Sequence, residues 1–126
     1  MMIDYEILNQ LVVYNPINKK IRIGRNTDGG YVIVDGYDYD CLVSFGAGYD
    51  VSFDNDFMKR NPNIPGFVFD GTMDRPPELM EGIKYINRNV DFYNTEKELL
   101  KDYKNIFVKM DIEGDEWNWI RGFNDL

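Results

Sequence analysis

The stretch Cys41 to Asp50, CLVSFGAGYD, constrains the fold of this chain more than any other. Cys41, Leu42, Val43 and Phe45 form a short apolar run of the kind that makes a buried strand. Gly46 and Gly48 then permit a backbone turn that side chains would forbid, and Asp50 can cap a following helix. A buried strand that passes through a glycine loop into a helix is the junction at which an open α/β sheet receives a nucleotide-like ligand. The remaining segments are expected to be arranged around it.

Downstream, the pattern alternates strand, helix and strand, which implies a parallel sheet with crossover helices. A helix is expected over residues 51–60, with Phe53 and Phe57 one turn apart toward the sheet and Asn61-Pro62 as its stop. Phe67-Val68-Phe69-Asp70 reads as a short buried strand ending in a carboxylate, and Pro76-Pro77 makes Gly71 to Pro77 a loop. The next strand is placed at Val90-Asp91-Phe92-Tyr93, with Ile83-Lys84-Tyr85-Ile86 as its rival. Thr95-Glu96-Lys97-Glu98 has the form of a capping box, and Leu99, Leu100 and Tyr103 supply an apolar side to the helix it would start. Ile106 to Ile112 is the last strand, and Gly114 turns it into a short helix carrying Trp117 and Ile120.

Upstream, Asp4, Ile7, Leu8, Leu11 and Val12 predict a capped amphipathic helix stopped by Asn15-Pro16. Lys20 to Ile23 alternates at period two, Asn26 to Gly30 is a turn cluster, and Tyr31 to Val34 is strongly β-prone, so a hairpin is expected over residues 20–34. The reading is one domain over residues 1–126, with a helix and hairpin over 1–40 and an α/β half over 41–126. Tyr5, Tyr14, Tyr31, Tyr37 and Tyr39 are assigned to packing, and Trp117 and Trp119 to the edge of the core or an interface.

Composition removes whole classes of function. The chain has 14 basic residues against 22 acidic ones, a net charge of −8, and a phosphate backbone is held by clustered Lys and Arg. Nucleic acid is therefore not an expected partner. There is no histidine, which excludes Ser-His-Asp or Cys-His nucleophiles, His-ligated zinc and imidazole acid-base chemistry. One cysteine allows neither an internal disulfide nor a thiolate zinc cluster. No apolar run approaches the ~18 residues of a membrane span, and Met1 to Gln10 lacks the form of a signal peptide. A soluble, cytoplasmic protein is expected.

Three strand ends should converge, since the carboxyl ends of parallel strands share one edge. They are Gly46-Ala47-Gly48, Asp70, and Asp111-Ile112-Glu113-Gly114. Asp70 follows Gly46 by 24 positions, near the ~20 that suit an acid receiving ribose hydroxyls above a glycine loop. Val51 stands where a dinucleotide fingerprint has its third glycine, which argues against NAD, and the absence of a G-x-x-x-x-G-K-[ST] run argues against a P-loop. Taken singly, Gly46-x-Gly48 also fits an ordinary tight turn, Asp70 a cap or loop carboxylate, and Asp28-Gly29-Gly30 a plain hairpin turn. Asp111 is harder to treat as structural, because a carboxylate ending an apolar strand is costly unless solvated or paired.

Val43 to Gly48, Val68-Phe69-Asp70 and above all Phe107 to Trp117, FVKMDIEGDEW, resemble S-adenosylmethionine-dependent methyltransferases of the FkbM-like type. The last run is close to that family's K-x-D-x-E-G-x-E, and Asp28-Gly29-Gly30-Tyr31-Val32 is similar to a segment preceding the catalytic domain in a subset of them. The resemblance covers residues 22–122 and implies a partial Rossmann-like parallel sheet. It implies a cofactor site of Phe45, Gly46, Ala47, Gly48, Asp70, Gly71 and Asp111. In that site the glycine loop approaches the methionine part, Asp70 holds the ribose hydroxyls and Asp111 faces the methyl-donor end. Asp111 and Glu113 are the catalytic candidates, with Glu113 orienting the acceptor, taking its proton or simply fixing the loop. No metal is required. The acceptor would be a hydroxyl of a small molecule, sugar or lipid-like compound.

A complete sheet of that class continues with about three more strands, so the fourth strand is expected to be left as an exposed edge unless a second copy of the chain or the amino-terminal segment covers it. The resemblance thus leaves two readings, an O-methyltransferase and a noncatalytic cofactor-binding or interaction module. An unrelated nucleotide-binding α/β domain is the third.

Overall fold

Two sheets organise residues 16–124, the residues described by the computed structural model. The elements are β1 (Lys20–Ile23), β2 (Tyr31–Val34), β3 (Cys41–Phe45), α1 (Ser52–Arg60), β4 (Gly66–Phe69), β5 (Ile83–Ile86), α2 (Lys97–Leu100), β6 (Ile106–Met110) and α3 (Glu116–Asn124). β1 and β2 form the expected antiparallel hairpin, with Ile23 opposite Tyr31. The other four strands form a parallel sheet in the order β5-β4-β3-β6. The chain steps outward from β3 to β5, then crosses back to place β6 on the other side of β3. The helix expected over Asp4 to Val12 lies outside the described residues, and no helix among the described residues is long and apolar enough to cross a membrane.

β3 is central because it is apolar on both faces, and all five of its residues are fully buried. Leu42 faces α1, packing with Ile23, Phe53, Phe57 and Met58. Val43 and Phe45 face the opposite layer, with Phe69, Val90, Leu100 and Trp119. The rings of Phe53, Phe57 and Phe107 meet at 4.7 to 6.0 Å between centroids and fix α1 over one face, where Tyr31 of the hairpin meets Phe53 at 5.5 Å. On the other face Trp119 lies 5.4 Å from Phe45 and donates from Nε1 to the Thr95 carbonyl at 3.0 Å, pinning α3.

Several local expectations gave way to tertiary demands. The third strand of the sheet's outward run is Ile83–Ile86 and not Val90 to Tyr93. Ile83 to Ile86 finds a register with Gly66 to Phe69, whereas Asp91 Oδ1 accepts the Tyr93 and Asn94 amides at 2.8 Å and makes a turn. The capping box does not form. Glu96 takes the cap position at φ 60° without a side-chain capping bond, because its carboxylate holds Arg88 at 2.6 and 2.8 Å. The helix is a single turn, Lys97–Leu100, and Tyr103 lies beyond it, with its ring 6.3 Å from Phe67. Asp50 sits one residue before the α1 cap, Val51, and accepts the Ser52 amide at 3.2 Å. The last strand ends at Met110, and of the two tryptophans only Trp119 is buried, Trp117 being 75% exposed with Ile120 beside it on the outer face of α3.

Among the described residues β6 pairs only with β3. The one charged residue of β6, Lys109, is 7% exposed, and an inward-pointing charge is one of the devices by which edge strands avoid pairing.

Candidate functional site

Register alone brings the site together. Phe45 is level with both Phe69 and Met110, so Gly46, Asp70 and Asp111 leave the sheet side by side. The Gly46 amide donates to the Phe69 carbonyl at 2.9 Å and the Asp111 amide to the Phe45 carbonyl at 3.0 Å. Position 46 must be glycine: its φ is +74°, and a Cβ there would stand 1.9 Å from the Asp111 carbonyl oxygen. This close approach lies where the strand order reverses, the place at which an open α/β sheet forms a ligand crevice.

A cavity of about 590 Å³ occupies that crevice, lined by Phe45, Gly46, Ala47, Gly48, Phe69, Asp70, Thr72, Arg88, Asn89, Val90, Asp111, Ile112, Glu113 and Asp115. Of the residues anticipated from the sequence, Phe45, Gly46, Ala47, Gly48, Asp70, Asp111 and Glu113 lie on its wall. Gly71 does not, and its amide donates instead to Asn89 Oδ1 at 2.8 Å. Thr72, Arg88, Asn89, Val90 and Asp115 were missed. Arg88 to Val90 follow β5, and placing that strand at residues 90–93 removed the very loop that contributes them.

Asp70 is 7% exposed and organises the glycine loop. Its Oδ2 accepts the Gly48 amide at 2.9 Å, and its Oδ1 accepts the Thr72 amide at 2.9 Å and the Thr72 hydroxyl at 2.5 Å. Burial by itself would raise its pKa, but the bonds from Thr72 and Gly48 outweigh it and hold the carboxyl below its ordinary value. Three of its roughly four acceptor positions are thereby used. One position on Oδ2 is left for a ligand donor.

The 111–115 loop is held by Glu116, the last acid of the K-x-D-x-E-G-x-E-like run, to which the sequence assigns no role. Its carboxylate accepts the Ile112 amide at 3.0 Å and the Gly114 amide at 2.9 Å, and backbone amides, its own among them, lower its pKa. Glu113 between them adopts φ 57°, a strained position for a residue other than glycine. Fixing the loop is therefore the work of Glu116, and Glu113 is a wall residue.

Beneath Asp111 lies a buried ion pair. Lys109 Nζ is 3.7 Å from Asp54 Oδ2, with side chains 7% and 0% exposed. Both Asp54 oxygens and the adjacent Ser44 Oγ lack a hydrogen bond among the described residues. Burial raises the Asp54 pKa against the attraction of Lys109. Lys109 also lies 5.2 Å from the ring centroid of Tyr31, whose hydroxyl donates to Asp111 Oδ2 at 3.2 Å.

Asp70, Asp111, Glu113 and Asp115 give the wall four carboxylates against one cation, Arg88, which is already paired with Glu96. Such a wall favours cationic and hydroxyl-bearing ligands and disfavours phosphates. No family model, curated protein or solved structure matches the chain.

Proposed function

We propose that the chain is an S-adenosylmethionine-dependent methyltransferase whose four parallel strands are the first half of a Rossmann-like sheet. The order β5-β4-β3-β6 corresponds to 3-2-1-4 of the doubly wound order. The observation that carries the reading is the single cavity shared by the glycine loop, Asp70 and the Asp111 to Glu113 strand end. Those are the three segments that resemble the methyltransferase family.

The residues fit the cofactor chemically. Gly46 to Gly48 present backbone to the methionine part, the remaining Oδ2 position of Asp70 takes one ribose hydroxyl, and Asn89 and Val90 border the space left for the base. When bound, the cofactor supplies an electrophilic methyl on a cationic sulfonium. Asp111, which reaches the wall from the end of β6, offers a charge that favours that cation. Methyl transfer in line chiefly requires the two reactants to be held in position with water excluded. Glu113, exposed on the same wall, orients an acceptor hydroxyl or receives its proton. The acceptor class we favour is a small molecule, sugar or lipid-like alcohol.

Titration calorimetry with S-adenosylmethionine and its demethylated product tests the reading. Binding of both is expected, and absence of binding at millimolar concentration would sink it. That β6 pairs only with β3 among the described residues favours a second reading, a cofactor-binding or interaction module without turnover, in which a second copy of the chain covers the other edge of β6. Methyl transfer to any alcohol would remove that alternative.

A further inference from the structure

We infer that Tyr31, on the hairpin, is a positioning residue that aims the Asp111 carboxylate at the cationic end of the cofactor; this rests on the methyltransferase reading above. Tyr31 and Asp111 are 80 positions apart and joined by a hydrogen bond of 3.2 Å from the phenol to Oδ2. Asp111 is exposed at the cavity wall, and an exposed aspartate left to itself turns toward solvent. The bond occupies Oδ2 and leaves Oδ1 available on a residue that lines the cavity.

What makes Tyr31 a rigid donor is its own support. Its ring meets Phe53 edge-on at 5.5 Å, stands 5.2 Å from Lys109 Nζ, and is held in the hairpin opposite Ile23. Lys109 in turn is fixed by Asp54 at 3.7 Å. The hairpin therefore contributes to the site without lining the cavity. Burial and the neighbouring Asp111 charge raise the phenol's pKa above its ordinary 10.0, in keeping with a phenol that donates to a carboxylate.

The test compares two ligands that differ in charge, cationic S-adenosylmethionine and neutral S-adenosylhomocysteine, by calorimetry on parent, Tyr31→Phe, Asp111→Asn and the double variant. Asp111→Asn is expected to lower the preference for the cation about tenfold and Tyr31→Phe about threefold, as loss of a charge contact and of its orienting hydrogen bond imply. The double variant should match Asp111→Asn alone, and in every variant affinity for the neutral ligand should fall less than affinity for the cation. Equal weakening of both ligands in Tyr31→Phe, or an unchanged or increased preference for the cation, overturns the inference. Without ligand, the Tyr31 phenol, followed by NMR in tyrosine-labelled protein, should titrate above 10.0 and move down in Asp111→Asn; no movement removes the contact and the inference with it. A parent protein that binds neither ligand fails the methyltransferase reading itself, whereas a parent that binds both with Tyr31→Phe unchanged fails only the role of Tyr31.

Discussion

Replacing Lys109 by Met isolates Asp54 in the core, and the structure sets the size of the effect. At 3.7 Å the pair attracts by about 4 kcal/mol at an effective dielectric of about 20, while removing each ion from water costs several kcal/mol. The intact pair is thus nearly neutral for stability. Removing one partner leaves the other charge buried, at a cost of about 3–5 kcal/mol, or a melting temperature lower by roughly 12–20 °C for a chain of this size. Asp54→Leu should cost a similar amount, yet Lys109→Met/Asp54→Leu should recover most of the loss, because an apolar pair needs no desolvation. Urea unfolding followed by tryptophan fluorescence measures all four proteins. The sign of the pH dependence is fixed as well. Asp54 titrates above its ordinary 3.8 when folded, so its contribution is most favourable below 3.8 and declines as pH rises through the folded value. In Lys109→Met that decline should extend to higher pH. Single variants that cost less than about 1 kcal/mol, or a double variant as unstable as the two losses combined, would refute the reasoning.

Gly46→Ala forces a left-handed residue and a Cβ against the Asp111 carbonyl; a loss of about 2–5 kcal/mol in denaturant unfolding is expected, and unchanged stability would contradict the close strand approach. Asp70 is held below its ordinary 3.8, so its contribution is present above 3.8 and lost as pH falls through the folded value. Asp70→Asn should flatten the acid side of the parent's melting-temperature profile, and an unaltered profile would rule the mechanism out. Cys41 is fully buried and its thiol is pushed up to about 12. It should resist a thiol reagent such as dithiobisnitrobenzoate until the protein unfolds, and rapid native labelling would show that β3 is not the closed centre of the sheet.

The elements legible in the sequence were those whose signals are local. An apolar run ending in two glycines defines β3 and its loop, a turn cluster between β-prone runs defines the hairpin, and Asn61-Pro62 stops α1. Because parallel strands end on one edge, even the convergence of Gly46, Asp70 and Asp111 could be anticipated. Where two short segments had similar β character, Ile83 to Ile86 and Val90 to Tyr93, only the open edge of β4 could choose between them, and with that choice went Arg88, Asn89 and Val90. The capping box at Thr95 obeyed a local rule that the fold overrode, since Glu96 serves Arg88 and the Thr95 carbonyl serves Trp119. Nothing in the periodicity of α1 and β6 says that Asp54 and Lys109 meet. Nor does it bring the hairpin's Tyr31 to Asp111. Where the signal is local, as for β3, its glycine loop and the hairpin turn, the sequence carries the element unaided. The buried pair, the held carboxylate and the full cavity wall depend on which distant surfaces pack together, and only the tertiary structure decides that.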